Sequence, residues 1–227
     1  MKKSLFLLLL SAVFVFSCKS DTQTKANTIP PKPVPAAKTE VTEETVVPEK
    51  STTLKDGAYT IDAAASTLNW SGSKPSGKKH IGTVKIKSGG VDIQNGTITQ
   101  GSADIDMTTI LNKDLSGMWK AKLEKHLKSP EFFDIGKFPT ATITIKEATN
   151  NGFKSSLKIK GIEKPVFIPA SISTQGDKVV ITIKPFTIDR TNWGVKYNSG
   201  KFFQNLKDRQ INDDMVLAGK IILNPKG

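Results

Sequence analysis

The chain has 227 residues, of which 37% are hydrophobic and 24% charged, with a net charge of +12 and a single cysteine. This suits a soluble globular protein with a polar tail, built as one sizeable domain plus extras or as two small domains. No internal apolar run is long enough to span a bilayer, and one cysteine excludes an intramolecular disulfide.

The chain opens with Lys2 and Lys3, then an apolar stretch from Leu5 to Phe16, too short for a comfortable span, then Ser17-Cys18. This predicts a secretory signal peptide over residues 1–17. Val15-Phe16-Ser17-Cys18 resembles a bacterial lipobox, in which the cysteine is lipidated and becomes the mature N-terminus, although Phe16 is bulkier than the small residue usual there. The alternative is an ordinary signal peptide followed by an accidental cysteine. A lipidated Cys18 ties the chain to a membrane surface without spanning it. Residues 18–55 carry Pro30, Pro31, Pro33, Pro35 and Pro48 among many Thr, Lys and Glu, and few core-forming residues. That composition predicts a disordered, partly extended tether.

Residues 56–227 form the expected folded domain. They hold 25 Lys and Arg against 16 Asp and Glu, so the domain is basic at +9. Nucleic acid is a poor partner for an exported, membrane-anchored protein. Anionic lipid headgroups or a pyrophosphate fit that compartment better. The plainer reading is that outward lysines keep a β-protein soluble and guard its edges.

Strand-like alternation begins at Tyr59–Asp62 and Ser66–Gly72, where Leu68, Trp70 and Gly72 share a face. His80–Lys87 sets Val84 and Ile86 against Thr83, Lys85 and Lys87, and Ser88-Gly89-Gly90 is expected to turn the chain. Val91 and Ile93 lead into Asn95-Gly96, a strong hairpin signal. Thr97–Met107 alternates again, with a bulge expected at Gly101. A helical interlude follows over about 112–133. Its core is a helix from Lys120 to Lys128, with Trp119, Leu123 and Leu127 on one face. Ser129-Pro130 stops that helix and suits the N-cap and first position of a further turn. Phe132 and Phe133 are adjacent and cannot both point the same way, so at least one is buried.

Strands resume at Thr140–Glu147, with Ala141, Ile143 and Ile145 inward, and at Phe153–Lys160, with Phe153, Leu157 and Ile159 inward. Gly161–Pro165 reads as a connection, and Pro169 on the next strand argues for an edge or bulge position. Lys178–Ile188 and Met215–Asn224 complete the set. Between them, aromatics beside glycines over residues 187–214 mark an ordered loop at a barrel end. Eight or nine evenly spaced strands with tight turns predict an all-β, antiparallel, lipocalin-like β-barrel of about eight strands, with a helical insertion near the mouth.

The segment from Leu123 to Pro139, LEKHLKSPEFFDIGKFP, resembles the YceI-like family. So do Tyr59–Asp62, His80-x-Gly82, Asp104-Ile105-Asp106, Lys160-Gly161-Ile162-x-Lys164-Pro165, and Asp189-Arg190 with Trp193-Gly194. The likeness covers about Tyr59 to Leu223. It implies an extended barrel with a long apolar interior that binds a polyisoprenoid or another long-chain amphiphile in an exported, often periplasmic, protein. No cofactor is implied beyond that lipid.

The residues expected to line the interior are Trp70, Val84, Ile86, Ile105, Met107, Phe132, Phe133, Ile143, Ile145, Leu157, Ile159 and Phe186. Alternation names their face but does not say whether the space between them is hollow. Trp119 is expected to close the mouth or to pack the helix down. Asp189-Arg190 reads most simply as a structural ion pair or loop anchor, with Arg190 pointing at an anionic head group as the other reading. His80 and His126 are the only histidines, with no third or fourth ligand for a metal, and read as structural. No Gly-x-Ser-x-Gly motif or other nucleophile–base set is present. The expectation is a non-enzymatic lipid carrier or sequestering protein at a bacterial membrane, periplasmic or associated with the outer membrane, with homodimerisation through strand edges left open. The competing reading is an envelope interaction module with a filled core and a basic binding surface. An enzyme acting on a lipid has no motif in its favour.

Overall fold

The computed structural model describes residues 54–227. The expected signal peptide, Cys18 and nearly all of the tether lie outside the described residues. Nine strands and one helix follow in order: β1 Gly57–Ile61, β2 Thr67–Ser73, β3 Lys79–Gln94, β4 Thr97–Asn112, α1 Gly117–Lys128, β5 Thr140–Thr149, β6 Gly152–Ile159, β7 Ile162–Gln175, β8 Lys178–Asp189 and β9 Asp214–Pro225. All pairings are antiparallel between neighbours, and β3–β4 closes the ring. β1 and β2 share one place in it. β2 lies between the first half of β3 and the first half of β9, and β1 continues the same line between their other halves. The result is a closed barrel of eight strand positions, the lipocalin-like architecture that alternation and strand spacing predicted.

The Asn95-Gly96 hairpin forms as expected, with φ of 52° and 69° at the two residues. The Asp56 carboxylate accepts from both of their amides, at 3.0 and 2.9 Å. Those backbone bonds hold its pKa below the usual carboxylate value.

Three sequence expectations are corrected. β3 runs through Ser88-Gly89-Gly90 without turning. The two glycines are there because neighbouring strands come close: a Cβ on Gly89 would strike the Ser102 carbonyl, and one on Gly90 the Tyr59 carbonyl. The bulge expected at Gly101 falls two residues earlier, where Asp92 faces Gln100 but Ile93 faces Ile98, leaving Thr99 extra. The stretch Glu163–Pro165 is already strand, and the turn before it is Lys160-Gly161 alone, both with positive φ.

Pro169 does sit at an edge, but a local one. β7 pairs with β6 over Ile162–Pro169 and with β8 only over Ala170–Gln175. The Ala170 N–H donates to Asn151 on the β6 side. Alternation therefore aims the amide positions of Pro165 and Pro169 at β8, where no ladder bond is needed.

Inward residues pack in two clusters stacked along the barrel. The cluster at the Asn95-Gly96 end is centred on Ile93, Ile98, Val179 and Leu223, each nearly fully buried. The other, at the α1 end, joins Trp70, Leu127, Phe132, Phe133, Trp193 and Val195. Each such side chain contributes about 1.5–3 kcal/mol on burial.

α1 starts earlier than expected, at Gly117, and is pinned to β4 by Asn112. The Asn112 amide donates to Glu124, its side-chain amide donates to the Ile81 carbonyl and to Asp114, and its side-chain oxygen accepts from Leu115. Ser129 ends α1, and Pro130–Phe133 form a turn with no second helix. The Ser129 carbonyl accepts from the Phe132 and Asp134 amides there.

Gly82 tests the closeness of β3 and β4. A Cβ there would overlap the Leu111 carbonyl and the Trp70 ring. Gly82→Ala should destabilise the fold by about 1–3 kcal/mol, read as a lower urea midpoint at unchanged slope.

Candidate functional site

The barrel encloses three spaces in a line. The central one, about 80 Å³, is almost wholly apolar, with Val84, Met107, Phe133, Leu157 and Trp193 among its walls. A second apolar space of about 60 Å³ lies toward the Asn95-Gly96 end, beside Ile86, Ile145 and Phe153. The two share Leu68, Ile143, Ile168 and Ile183, which form a waist between them. The third, about 150 Å³, is an antechamber at the α1 end with a mostly apolar surface, and Lys74, Lys78, His80, His126 and Asn212 are among the residues of its walls. Trp70, Arg190 and Met215 face both it and the central space.

Arg190 is only 1% exposed. Its Nε donates to the Asn212 carbonyl at 3.1 Å, one terminal nitrogen to Val195 at 2.6 Å, and the other to Ile211 at 3.1 Å and to the Asp213 carboxylate at 3.3 Å. Burial lowers its pKa and the Asp213 charge opposes that. Its guanidinium also lies 5.6 Å from the Phe132 ring centre. Four of its five N–H groups are thus spent on the protein's own chain, which leaves no fork for a head group. Asp189 is not its ion-pair partner in this arrangement. It caps the 3-10 turn Arg190–Trp193 through Thr191 and pairs with Lys201.

Two buried polar atoms on residues that line the antechamber lack hydrogen-bond partners among the described residues: Trp70 Nε1 and His126 Nε2. Trp193, by contrast, donates its indole N–H to the Leu157 carbonyl at 2.9 Å. His126 stacks 4.4 Å from Tyr197 and edge-on to Phe132 at 5.5 Å. Burial lowers its pKa; Glu131 opposes the shift and Arg190 adds to it. His80 bonds Asp114 at 2.7 Å, which fastens β3 to the start of the α1 loop.

Of the twelve expected interior residues, nine line the central space: Trp70, Val84, Ile105, Met107, Phe133, Ile143, Leu157, Ile159 and Phe186. Ile86 and Ile145 line the deeper space, and Phe132 the antechamber. The Phe132 and Phe133 rings meet edge to face at 4.9 Å and 82°, and both are buried. Trp119 neither closes the mouth nor packs the helix down; it is 68% exposed. Residues four apart drift about 40° per step, so by Leu127 it has rotated about 80° out of the packed face. Sequence reasoning did not single out the waist, although Leu68, Ile168 and Ile183 each sit on an alternating strand. It also missed Lys74, Lys78 and Asn212, which carry no periodic signal because they lie outside or at the ends of strands.

This is a lipocalin-like β-barrel, apolar along its interior, with lysine, histidine and asparagine residues joining the wall at the α1 end. The YceI-like domain model matches residues 59–221, and the chain belongs to that family. A UPF0312 protein of Yersinia enterocolitica is 33% identical over 75 residues, 31% of this chain and 39% of that protein. Protein YceI of Salmonella arizonae is 39% identical over 61 residues, 25% of this chain and 32% of that protein. The matched stretches thus span about two fifths and one third of those relatives. Among solved structures, a polyisoprenoid-binding domain from Saccharophagus degradans, implicated in plant cell wall breakdown, superposes with a TM-score of 0.58 at 14% identity, over 76% of this chain and all of that one. BcnA of Burkholderia cenocepacia gives 0.52 at 16% identity, over 71% of this chain and 98% of that one.

Arg190→Met takes away one of the two cations beside Asp213, leaving Lys201 at 3.7 Å, and frees three carbonyls, and should cost about 3 kcal/mol in denaturant unfolding. His126 sets an acid-side slope. Its folded pKa is depressed, so the unfolded chain takes up the proton first as pH falls through about 6.5, and stability drops below that pH. His126→Phe should flatten that part of a stability–pH curve.

Proposed function

We propose that the barrel binds a single long-chain amphiphilic lipid, with its tail along the apolar spaces and its head in the antechamber, and performs no chemistry on it. The observation that carries this reading is a row of apolar spaces that ends, at the α1 end, in an antechamber whose walls include Lys74, Lys78, His80 and two residues with unpartnered buried nitrogens. Each CH₂ moved from water into such a space contributes about 0.8 kcal/mol, so a tail needs no other recognition. The polyisoprenoid-binding domain that shares the fold supports a tail of that class, as does membership of the YceI-like family. The head is held by Lys74, Lys78 and His80 with the Trp70 and His126 nitrogens, not by Arg190.

The interior is narrow as it stands. An apolar cavity of roughly 150 Å³ takes a benzene ring, and the two apolar spaces are smaller, at about 80 and 60 Å³. A long chain therefore enters by turning the waist side chains aside and joining the spaces. We further propose that Cys18 is lipidated and that the protein carries or sequesters its ligand in the bacterial envelope, in the periplasm or at the outer membrane, as a monomer or a homodimer.

The same narrowness favours a second reading, a filled barrel that uses its basic surface to bind an envelope partner. Organic extraction of the purified barrel domain, followed by mass spectrometry, separates the two. Lipid near one per barrel is expected. Ile143→Phe at the waist should shorten the retained chains or cut occupancy several-fold. Empty barrels, with partner binding lost on neutralising surface lysines, would replace the first reading with the second.

A further inference from the structure

The exposed large apolar side chains are not scattered. Among the described residues there are seven: Ile81, Met118, Trp119, Ile162, Phe167, Phe202 and Phe203. All but Phe167 lie at the α1 end. Ile81 bonds to the loop leading into α1. Ile162 follows the β6–β7 turn, where Lys160 reaches the Pro130 carbonyl. Phe202 and Phe203 belong to the β8–β9 loop, whose Tyr197 stacks on His126 of α1. Scattered surface hydrophobes need no explanation, but a concentration at one end does.

The most exposed pair opens α1. Met118 is 81% exposed and Trp119 68%. The solvent face of the helix continues with Ala121, Lys122 and Lys125 and carries no carboxylate. The helix's one acid, Glu124, is turned inward to accept the Asn112 amide at 2.9 Å. Lys122 lies 5.7 Å from the Trp119 ring centre, and Lys196 lies 4.6 Å from Phe202, so lysines flank both apolar projections. Aromatic and thioether side chains ringed by lysines fit the headgroup region of a bilayer, where an indole settles at the interface and ammonium groups reach phosphates.

We propose that the α1 end of the barrel docks on the surface of an anionic lipid bilayer, with Met118 and Trp119 in the interface and Lys122 and Lys125 on the headgroups. A second copy of the chain is a poorer occupant, because a two-fold contact across this face sets lysine against lysine. The docked end is also the antechamber end, since Leu123, His126 and Leu127 of α1 wall that space. The docking stands whether or not the interior takes a lipid, because it uses none of the interior residues.

The test reconstitutes the full-length chain in phosphatidylcholine vesicles with and without phosphatidylglycerol. Trp119 is read by its emission wavelength, by acrylamide quenching and by quenching from acyl-brominated lipid. Trp70 and Trp193 are buried, and a Trp119→Phe chain supplies their background. With phosphatidylglycerol present, Trp119 should shift to shorter wavelength, lose acrylamide access and be quenched by brominated lipid, and added salt should reverse this. Lys122→Gln with Lys125→Gln should lower the docked-to-free ratio roughly tenfold, at about fivefold or less per lysine. Met118→Ser should lower it as well. All three positions are solvent-facing, so unchanged thermal unfolding serves as the folding control. Trp119 remaining fully open to acrylamide on anionic vesicles overturns the proposal. So does equal shielding on neutral vesicles and in the lysine double variant. Shielding that appears without vesicles and rises with protein concentration assigns the face to a second copy instead. Lipid retained in the interior is measured separately by extraction, so failure of docking and failure of lipid binding are told apart.

Discussion

A single buried cation organises the open half of this barrel. Arg190 stands between the central apolar space and the antechamber, lining both. It gathers the carbonyls of Val195, Ile211 and Asn212 and the carboxylate of Asp213 onto one plane. Those partners come from both ends of the long β8–β9 connection, so one side chain closes that loop on itself. A buried charge is tolerable only when its donors are met, and here the backbone meets them. Phe132, Trp70 and Met215 pack around it, which gives the mouth its shape. The cation is therefore part of the wall and not a free recognition group.

The two ends of the barrel solve opposite problems. At the Asn95-Gly96 end, tight turns bring β-branched and leucine side chains together in one buried cluster. At the other end the strands hand over to α1, the turn after Ser129 and the β8–β9 loop, and these carry the polar groups, the lysines and the exposed aromatics. An amphiphile and a bilayer surface both present a polar and an apolar side, and this end offers both. The β7–β8 seam adds a third feature. Over Ile162–Pro169 the wall has a ladder on one side only, and Pro165 and Pro169 carry no amide hydrogen to be left unpaired there.

The fold recurs at 14–16% identity for a physical reason. A closed antiparallel barrel asks of each strand only that alternate residues be apolar, and many sequences meet that demand. What it asks for specifically is found at a few points: glycines where strands nearly touch, as at Gly82 and Gly90, and the hydrogen-bonded hubs at Asn112 and Arg190.

Period-two alternation was enough to read the barrel, its strand order in the chain, the inward faces and the Asn95-Gly96 hairpin, because each depends on neighbours within a few residues. The ten strand residues named for the interior each line one of the three spaces, and so do Phe132 and Phe133, which lie in the turn after α1. The passage of β3 through Gly89-Gly90 was not legible. A glycine pair looks the same whether the chain turns or another strand presses close, and the pressing carbonyls come from Tyr59 and Ser102. Nor could the sequence divide the interior into a waist and two narrow spaces, commit Arg190 to the chain's own carbonyls, or leave Trp119 in solvent. Those outcomes rest on distances between residues far apart in the chain, and such distances exist only once the ring has closed.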